Sequence, residues 1–316
     1  MKIVFMGTPD FAVHVLTALC EAGHTVCGVV TQPDRPRGRK MEIVPGPVCC
    51  EARRLGIEVY QPEKIRGNEE ILTCMKNMQP DAVVVAAFGQ IIPKSILDLP
   101  LYGCFNVHAS LLPDYRGAAP IQHAILDGRE KTGVTIMRMN EGLDTGDIVS
   151  TREIPILPDE TGGSLFDRLA KCGAELLVET LPKVEEGTAT YTPQPAVSPT
   201  PYASMITKNS GKIDWTKSAE EIERMIRAMN PWPSAWTRLD GKTLKIWHAA
   251  VGKPGMEGTP GLVVRQDAGG LYIETGSGIL IADELQLEGR RRMKASDFLR
   301  GYVIRNPQLG QEKYDL

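Results

Sequence analysis

No apolar run in the 316-residue sequence is long enough to cross a membrane. The N-terminal stretch Met1 to Met6 breaks at Gly7-Thr8-Pro9-Asp10, far short of the roughly 20 residues a bilayer helix needs and too short for the apolar core of a secretion signal. The chain is therefore expected to stay in the cytoplasm, without a membrane partner. Its seven cysteines, at 20, 27, 49, 50, 74, 104 and 172, form no Cys-x-x-Cys pair, so reduced thiols are expected rather than a zinc or redox framework, and no metal. Gly-x-Gly-x-x-Gly and Gly-x-x-x-x-Gly-Lys-Ser/Thr are both missing, which argues against a nicotinamide dehydrogenase and a P-loop kinase. Strong net charge is lacking too: the total is −3, yet 17 Lys and Arg face 14 Asp and Glu from residue 207 onward. That modest basic excess fits a nucleic-acid partner only beside other signals.

What is present is the composition of a folded chain, 42% hydrophobic and 24% charged, with length for two domains. Lys2 to Met6, Thr25 to Val30, Ile57 to Tyr60, Asp81 to Phe88 and Cys104 to His108 read as strands. Helical spacing lies between them, over Phe11 to Ala22 and near 47–55, 68–78 and 93–98. This alternation predicts an α/β, Rossmann-like parallel sheet in a domain spanning 1–187, whose ligands sit beyond the carboxyl ends of the strands. Thr161 to Gly187 reads as a long helix. Pro193, Pro195, Pro199 and Pro201 then mark 188–206 as a linker, because proline donates no backbone hydrogen bond. In 207–316, a helix capped by Ser218 and Glu221 precedes short strands near 235–239, 243–249, 261–265, 270–274 and 278–287, the pattern of a small OB-like β-barrel. Trp232 and Trp236 are expected to pack in the interior or between domains.

Chemistry concentrates in Asn106-Val107-His108-Ala109-Ser110-Leu111-Leu112-Pro113-Asp114-Tyr115-Arg116-Gly117. Alternate strand residues share a face, so Asn106 and His108 can enter one cleft. With Leu143-Asp144-Thr145-Gly146-Asp147 downstream, the segment resembles the signature of 10-formyltetrahydrofolate-dependent formyltransferases. Thr31 to Arg39, the opening Phe5 to Ala12, Gly133 to Met137 and Asn230-Pro231-Trp232-Pro233 further resemble the branch acting on methionyl-tRNA. The glycinamide ribonucleotide branch lacks the C-terminal barrel, and the sugar-nucleotide branch lacks the Thr31 to Arg39 stretch. The resemblance implies a 10-formyltetrahydrofolate cosubstrate, initiator methionyl-tRNA as partner, and a monomer.

Formyl transfer to an α-amine passes through a tetrahedral adduct whose oxygen becomes negative. Asn106 and His108 are the candidate donors to that oxygen, and Asp144 the carboxylate that partners His108 and relays the proton. An α-amine is substantially unprotonated near neutral pH, so no covalent intermediate, and no serine nucleophile at Ser110, is required. The resemblance implies that Ser110, Leu111, Leu112 and Pro113 shape the folate site, with Phe88, Gly89, Gln90 and Ile91 as candidate pterin contacts. Arg116 reads either as a structural ion-pair partner or as a contact to a glutamate tail or phosphate. Arg35, Arg37, Arg39 and Lys40 in the loop 31–47, and Arg290, Arg291 and Arg292 in the second domain, are the expected tRNA contacts. A sugar-nucleotide formyltransferase or a formyltetrahydrofolate hydrolase could use the same trio.

Overall fold

The computed structural model describes residues 1–37, 42–253 and 258–311. Two compact units emerge. Unit 1 comprises Met1–Pro120, Lys131–Pro155 and Phe166–Ser204; unit 2 comprises Ile121–Glu130, Ile156–Leu165 and Met205–Leu316. The partition expected at 187 and 206 is drawn elsewhere: 188–204 joins unit 1, while 121–130 and 156–165 join unit 2.

The chain opens with β1 (Lys2–Gly7), buried from Ile3 to Met6. It turns directly into α1 (Asp10–Glu21), which buries Phe11, Ala12, Val15, Leu16 and Leu19 on one stripe. The turn needs glycine, because a Cβ on Gly7 would lie 2.5 Å from Ala12 Cβ and 2.8 Å from the Ala86 carbonyl oxygen. There follow β2 (Thr25–Val30), the hairpin strands β3 (Arg35–Arg37) and β4 (Glu42–Val44), α2 (Pro47–Arg54), β5 (Val59–Tyr60), α3 (Glu69–Met78), β6 (Ala82–Ala86), α4 (Lys94–Leu97) and β7 (Cys104–His108). Next come α5 (Pro120–Leu126), β8 (Lys131–Arg138), β9 (Asp147–Pro155) and α6 (Gly162–Glu185).

Seven strands form one sheet in the order β5-β2-β1-β6-β7-β8-β9. The pairs from β5 to β7 are parallel, as expected from the alternation with helices, but β8 and β9 are antiparallel. The sheet is therefore mixed, and the chain leaving β7 returns into β8 at the same end of the sheet. Val83 and Val85 of β6 pack with Val4, Met6, Val30, Ile71 and Met75 on one face. Full burial of such a side chain stabilises by about 1.5–3 kcal/mol, which makes β6 and β7 a rigid base for residues at their ends.

Unit 2 contains α7 (Ala219–Ala228), β10 (Ala235–Leu239), β11 (Lys242–Val251), β12 (Val263–Asp267), β13 (Gly270–Glu274), β14 (Ile279–Leu287), β15 (Met293–Lys294) and α8 (Ala295–Gly301). Ser218 Oγ accepts from Glu221 N at 3.2 Å while Ser218 N donates to Glu221 Oε2 at 2.9 Å, the reciprocal cap anticipated for α7. The strands lie close to their expected positions and pair antiparallel along β10-β11-β14-β13-β12, with β15 added to β14. Ile222 and Ile226 of α7 and Phe298 of α8 share its core. Trp232 departs from expectation: it is 55% exposed, held between two prolines in the turn after α7 and outside the alternation that buries alternate residues of β10. Trp236 is half-buried, with Nε1 donating to the Lys208 carbonyl at 3.2 Å. Among the described residues, no helix is long and apolar enough to cross a membrane.

Candidate active site

Strand β7 is interior to the sheet, and both of its candidate catalytic residues emerge toward its carboxyl end. Asn106 pairs with Val85 on β6 and Met137 on β8, and His108 pairs with Thr135. They are two residues apart on one face, roughly 6.6 Å along the strand. Asn106 is half-buried, and among the described residues no hydrogen bond engages its carboxamide.

His108 is 6% exposed and bonded on one side only. Its Nε2 lies 3.1 Å from the Tyr115 carbonyl oxygen. A carbonyl can only accept, so Nε2 carries a proton and donates it; in the neutral ring Nδ1 is then the bare nitrogen. Nδ1 faces Asp144 Oδ1 at 3.8 Å. That separation exceeds a hydrogen bond, but it places the carboxylate against the cation formed when Nδ1 gains a proton. The Tyr115 bond engages one ring nitrogen of His108, while the Asn106 carboxamide carries no hydrogen bond among the described residues.

Asp144 sits in a left-handed turn, φ 52°, with Oδ2 accepting from Gly117 N at 2.9 Å. The Tyr202 ring lies over Gly117: a Cβ there would fall 2.7 Å from the ring and 2.6 Å from the Ala203 carbonyl oxygen. Tyr202 is exposed, and its phenol is pushed up by partial burial and, secondarily, by the charge of Asp144.

The segment expected as a linker is bound to this loop along much of its length. Ala203 N donates to Arg116 O at 2.8 Å, and Ala118 N returns a bond to Ala203 O at 2.8 Å. Thr200 Oγ1 accepts from Tyr115 N at 2.7 Å, and Ser198 Oγ donates to Pro113 O at 2.9 Å. Arg116 is 6% exposed and has no acidic partner among the described residues. It donates to Gln194 Oε1 at 2.9 and 3.1 Å and to the carbonyls of Pro195 at 2.7 Å and Ala196 at 3.4 Å. Its partners are neutral acceptors rather than a carboxylate. Proline removes a donor but keeps its acceptor, and a guanidinium with five donors matches a run of bare carbonyls.

Ser110 is fully buried and donates to the Asp114 carbonyl at 2.6 Å. Thr135 Oγ1 accepts from Leu112 N at 3.0 Å and donates to Ser110 O at 2.7 Å. These bonds set the shape of Ser110, Leu111, Leu112 and Pro113. At the end of β6, Phe88 is buried, with its carbonyl accepting from Thr8 Oγ1 at 3.3 Å and Gln32 Nε2 at 3.2 Å. Gln90 is engaged by Ile65 N at 2.9 Å and the Glu63 carbonyl at 3.1 Å. Gly89 turns the chain at φ 83°, and Ile91 is 66% exposed. Of these four, Ile91 is thus the side chain open to a ligand.

Arg35 is exposed on the hairpin, where it pairs with Val44. Arg37 pairs with Glu42 through the backbone; Arg39 and Lys40 lie outside the described residues. The hairpin base is tied by Asp34 Oδ1, which accepts from Gln61 Nε2 at 2.8 Å and Gly46 N at 3.3 Å. In unit 2, Arg290 donates to the Gly301 carbonyl at 3.3 Å and stacks over Tyr302. Arg292 pairs with Glu284 at 2.5 Å and lies over the Trp247 ring, while Arg291 is exposed. The described residues contain no cluster of His, Cys, Asp and Glu able to hold a metal ion.

Residues 1–181 match the formyl transferase family and residues 205–303 match the formyl transferase C-terminal domain. The chain belongs to the formyl transferase family. A curated relative from Agathobacter rectalis, named Methionyl-tRNA formyltransferase, is 54% identical over 301 residues, covering 95% of this chain and 96% of the relative. The Bacillus subtilis protein of that name is 49% identical over 301 residues, covering 95% and 94%. The fold is shared with HypX of Aquifex aeolicus, solved in complex with tetrahydrofolic acid, at TM-score 0.63 and 18% identity; 95% of this chain matches 47% of that one. It is shared too with an N-formyltransferase of Helicobacter canadensis, solved with folinic acid and dTDP-3-aminofucose, at TM-score 0.64 and 20% identity, over 89% and 98% of the two chains.

Proposed function

We propose that the protein transfers the formyl group of 10-formyltetrahydrofolate to the α-amino group of methionyl-initiator tRNA. The observation that carries this reading is near-full-length similarity, at about half identity, to proteins named for that activity. The geometry supports the chemistry. The amine nitrogen attacks the formyl carbon, the carbonyl becomes an alkoxide, and the Asn106 carboxamide donates to that oxygen; one such donor contributes roughly 2.7–4 kcal/mol of transition-state stabilisation. His108 Nδ1 takes the proton leaving the amine, with Asp144 facing the resulting cation. Collapse of the adduct re-forms the carbonyl and breaks the bond to N10 of the folate, which receives the proton from His108. Ser110 to Pro113 and Ile91 line the folate side. Tyr202, beside Asp144, lines the amine side.

The methionyl-tRNA meets Arg35, Arg37, Arg39 and Lys40 of the hairpin and Arg290, Arg291 and Arg292 of unit 2, chiefly through phosphates. Catalysis belongs to unit 1. The enzyme works as a monomer in the cytoplasm, at translation initiation. The sugar N-formyltransferase likeness is one of fold, at 20% identity, and gives no comparable support to a sugar acceptor.

The test is formyl transfer from 10-formyltetrahydrofolate to charged initiator tRNA, elongator methionyl-tRNA and an amino-sugar nucleotide, assayed side by side with formate release. Product on initiator tRNA is expected; product on the sugar alone, or formate alone, would overturn the reading.

A further inference from the structure

Gln194 stands outside every motif that pointed to the site, yet its side chain joins the site's two halves. Its Oε1 accepts two bonds from Arg116, at 2.9 and 3.1 Å. Its Nε2 donates to the carbonyl of Asp144 at 3.0 Å and to that of Gly146 at 2.6 Å, and also lies 3.4 Å from Met137 Sδ. A carboxamide offers two lone pairs and two protons, so these four oxygen and guanidinium contacts use its full capacity. On one side, Arg116 lies between Tyr115, whose carbonyl accepts from His108, and Gly117, whose N–H binds Asp144. On the other, the two carbonyls flank Thr145, and Asp144 itself is held at φ 52°. A left-handed aspartate persists only where its surroundings over-determine it, and Gln194 supplies two of the bonds that do so.

We propose that Gln194 is a positioning residue for catalysis: it sets the separation of the Asp144 carboxylate from His108 by fixing the Asp144–Gly146 backbone against the Arg116 loop. This rests on the catalytic reading of His108 and Asp144. Gln194 touches neither the formyl group nor the amine. Loss of its Nε2 donors leaves two carbonyls of the turn unpaired on that side and frees Asp144 to drift; a displacement on the order of 1 Å at such a pair costs roughly 10²-fold in rate.

Two substitutions separate this role from simple scaffolding. Gln194→Glu keeps the acceptor for Arg116 and replaces the donors with an oxygen facing two carbonyl oxygens, whereas Gln194→Ala removes both halves. Steady-state kinetics of both variants, alone and combined with Asp144→Ala, are expected to show kcat reduced roughly 10²-fold with little change in either KM. The effect should nearly vanish when Asp144 is already alanine, because coupled residues are not additive. Should Gln194→Ala fail to fold, Gln194→Glu carries the same cycle, with a thermal melt as the check. A fully active Gln194→Glu enzyme, or equal losses with and without Asp144, would overturn the positioning role. An Asp144→Ala enzyme with unchanged kcat would instead overturn the catalytic reading, and this inference with it.

Discussion

His108 Nδ1 and Asp144 Oδ1 stand 3.8 Å apart while each residue is tied elsewhere, His108 to the Tyr115 carbonyl and Asp144 to the Gly117 amide. Both anchors lie in the segment that follows β7. The pair is therefore held by the loop rather than by contact with each other, leaving Nδ1 available for a proton. Asp144→Asn keeps an oxygen for Gly117 and removes the charge. Its kcat is expected to fall roughly 10²- to 10⁴-fold, with tRNA affinity nearly unchanged. A filter-binding titration beside single-turnover kinetics checks this, and a variant that loses tRNA binding but keeps the chemical step would contradict it.

Gly117 admits no side chain. It has φ 128°, and a Cβ would fall 2.6 Å from the Ala203 carbonyl and 2.7 Å from the Tyr202 ring. Gly117→Ala is expected to lose about 1–3 kcal/mol of stability from overpacking and to lower kcat as well, because Asp144 accepts from this residue's N–H. Urea denaturation gives the first figure. A variant of unchanged stability would mean that 202–203 yields without cost.

Arg35 projects from the hairpin as an exposed cation. Arg35→Ala should weaken methionyl-tRNA binding and reduce the slope of log K against log salt by about one, while the rate at saturating tRNA stays near wild type. Binding measured across a salt series decides, and an unaltered slope would remove Arg35 from the phosphate contacts.

Glu51 accepts from Arg54 at 2.6 and 2.8 Å and from Thr17 Oγ1 at 2.9 Å, linking α2 to α1. Arg54 chiefly, with Thr17 behind it, holds this carboxyl below its usual 4.5. A carboxyl depressed on folding stabilises the native state above its unfolded pKa, and that contribution disappears as the pH falls through the folded value. Wild type should therefore melt slightly above Glu51→Gln at pH 7, with the gap closing below about pH 4.5. The effect stays small because Arg54 is largely in solvent. A constant gap from pH 7 to 3 would show that the charge plays no part.

Much of the fold was legible in order along the chain, and so were the candidates for the site. Apolar runs such as Ala82 to Ala86 declare buried strands, and the Ser218–Glu221 cap declares a helix start, because strand and helix periods are local properties. Asn106 and His108 could be placed on one face from strand alternation alone. The antiparallel pairing of β8 with β7 and with β9, and the exposure of Trp232, left no such local mark.

The sequence by itself determined the alternation of elements and the family to which the chain belongs, and it singled out Asn106, His108 and Asp144 as candidates. Only the tertiary structure decided that Tyr115 holds the ring of His108, that Arg116 is consumed by neutral acceptors, and that the proline-rich 188–204 segment joins unit 1 and bonds to the site loop. The reason is physical: a proline-rich stretch advertises its missing donors, whereas the partner for its carbonyls, Arg116, lies about 80 residues away, and no local pattern encodes that pairing.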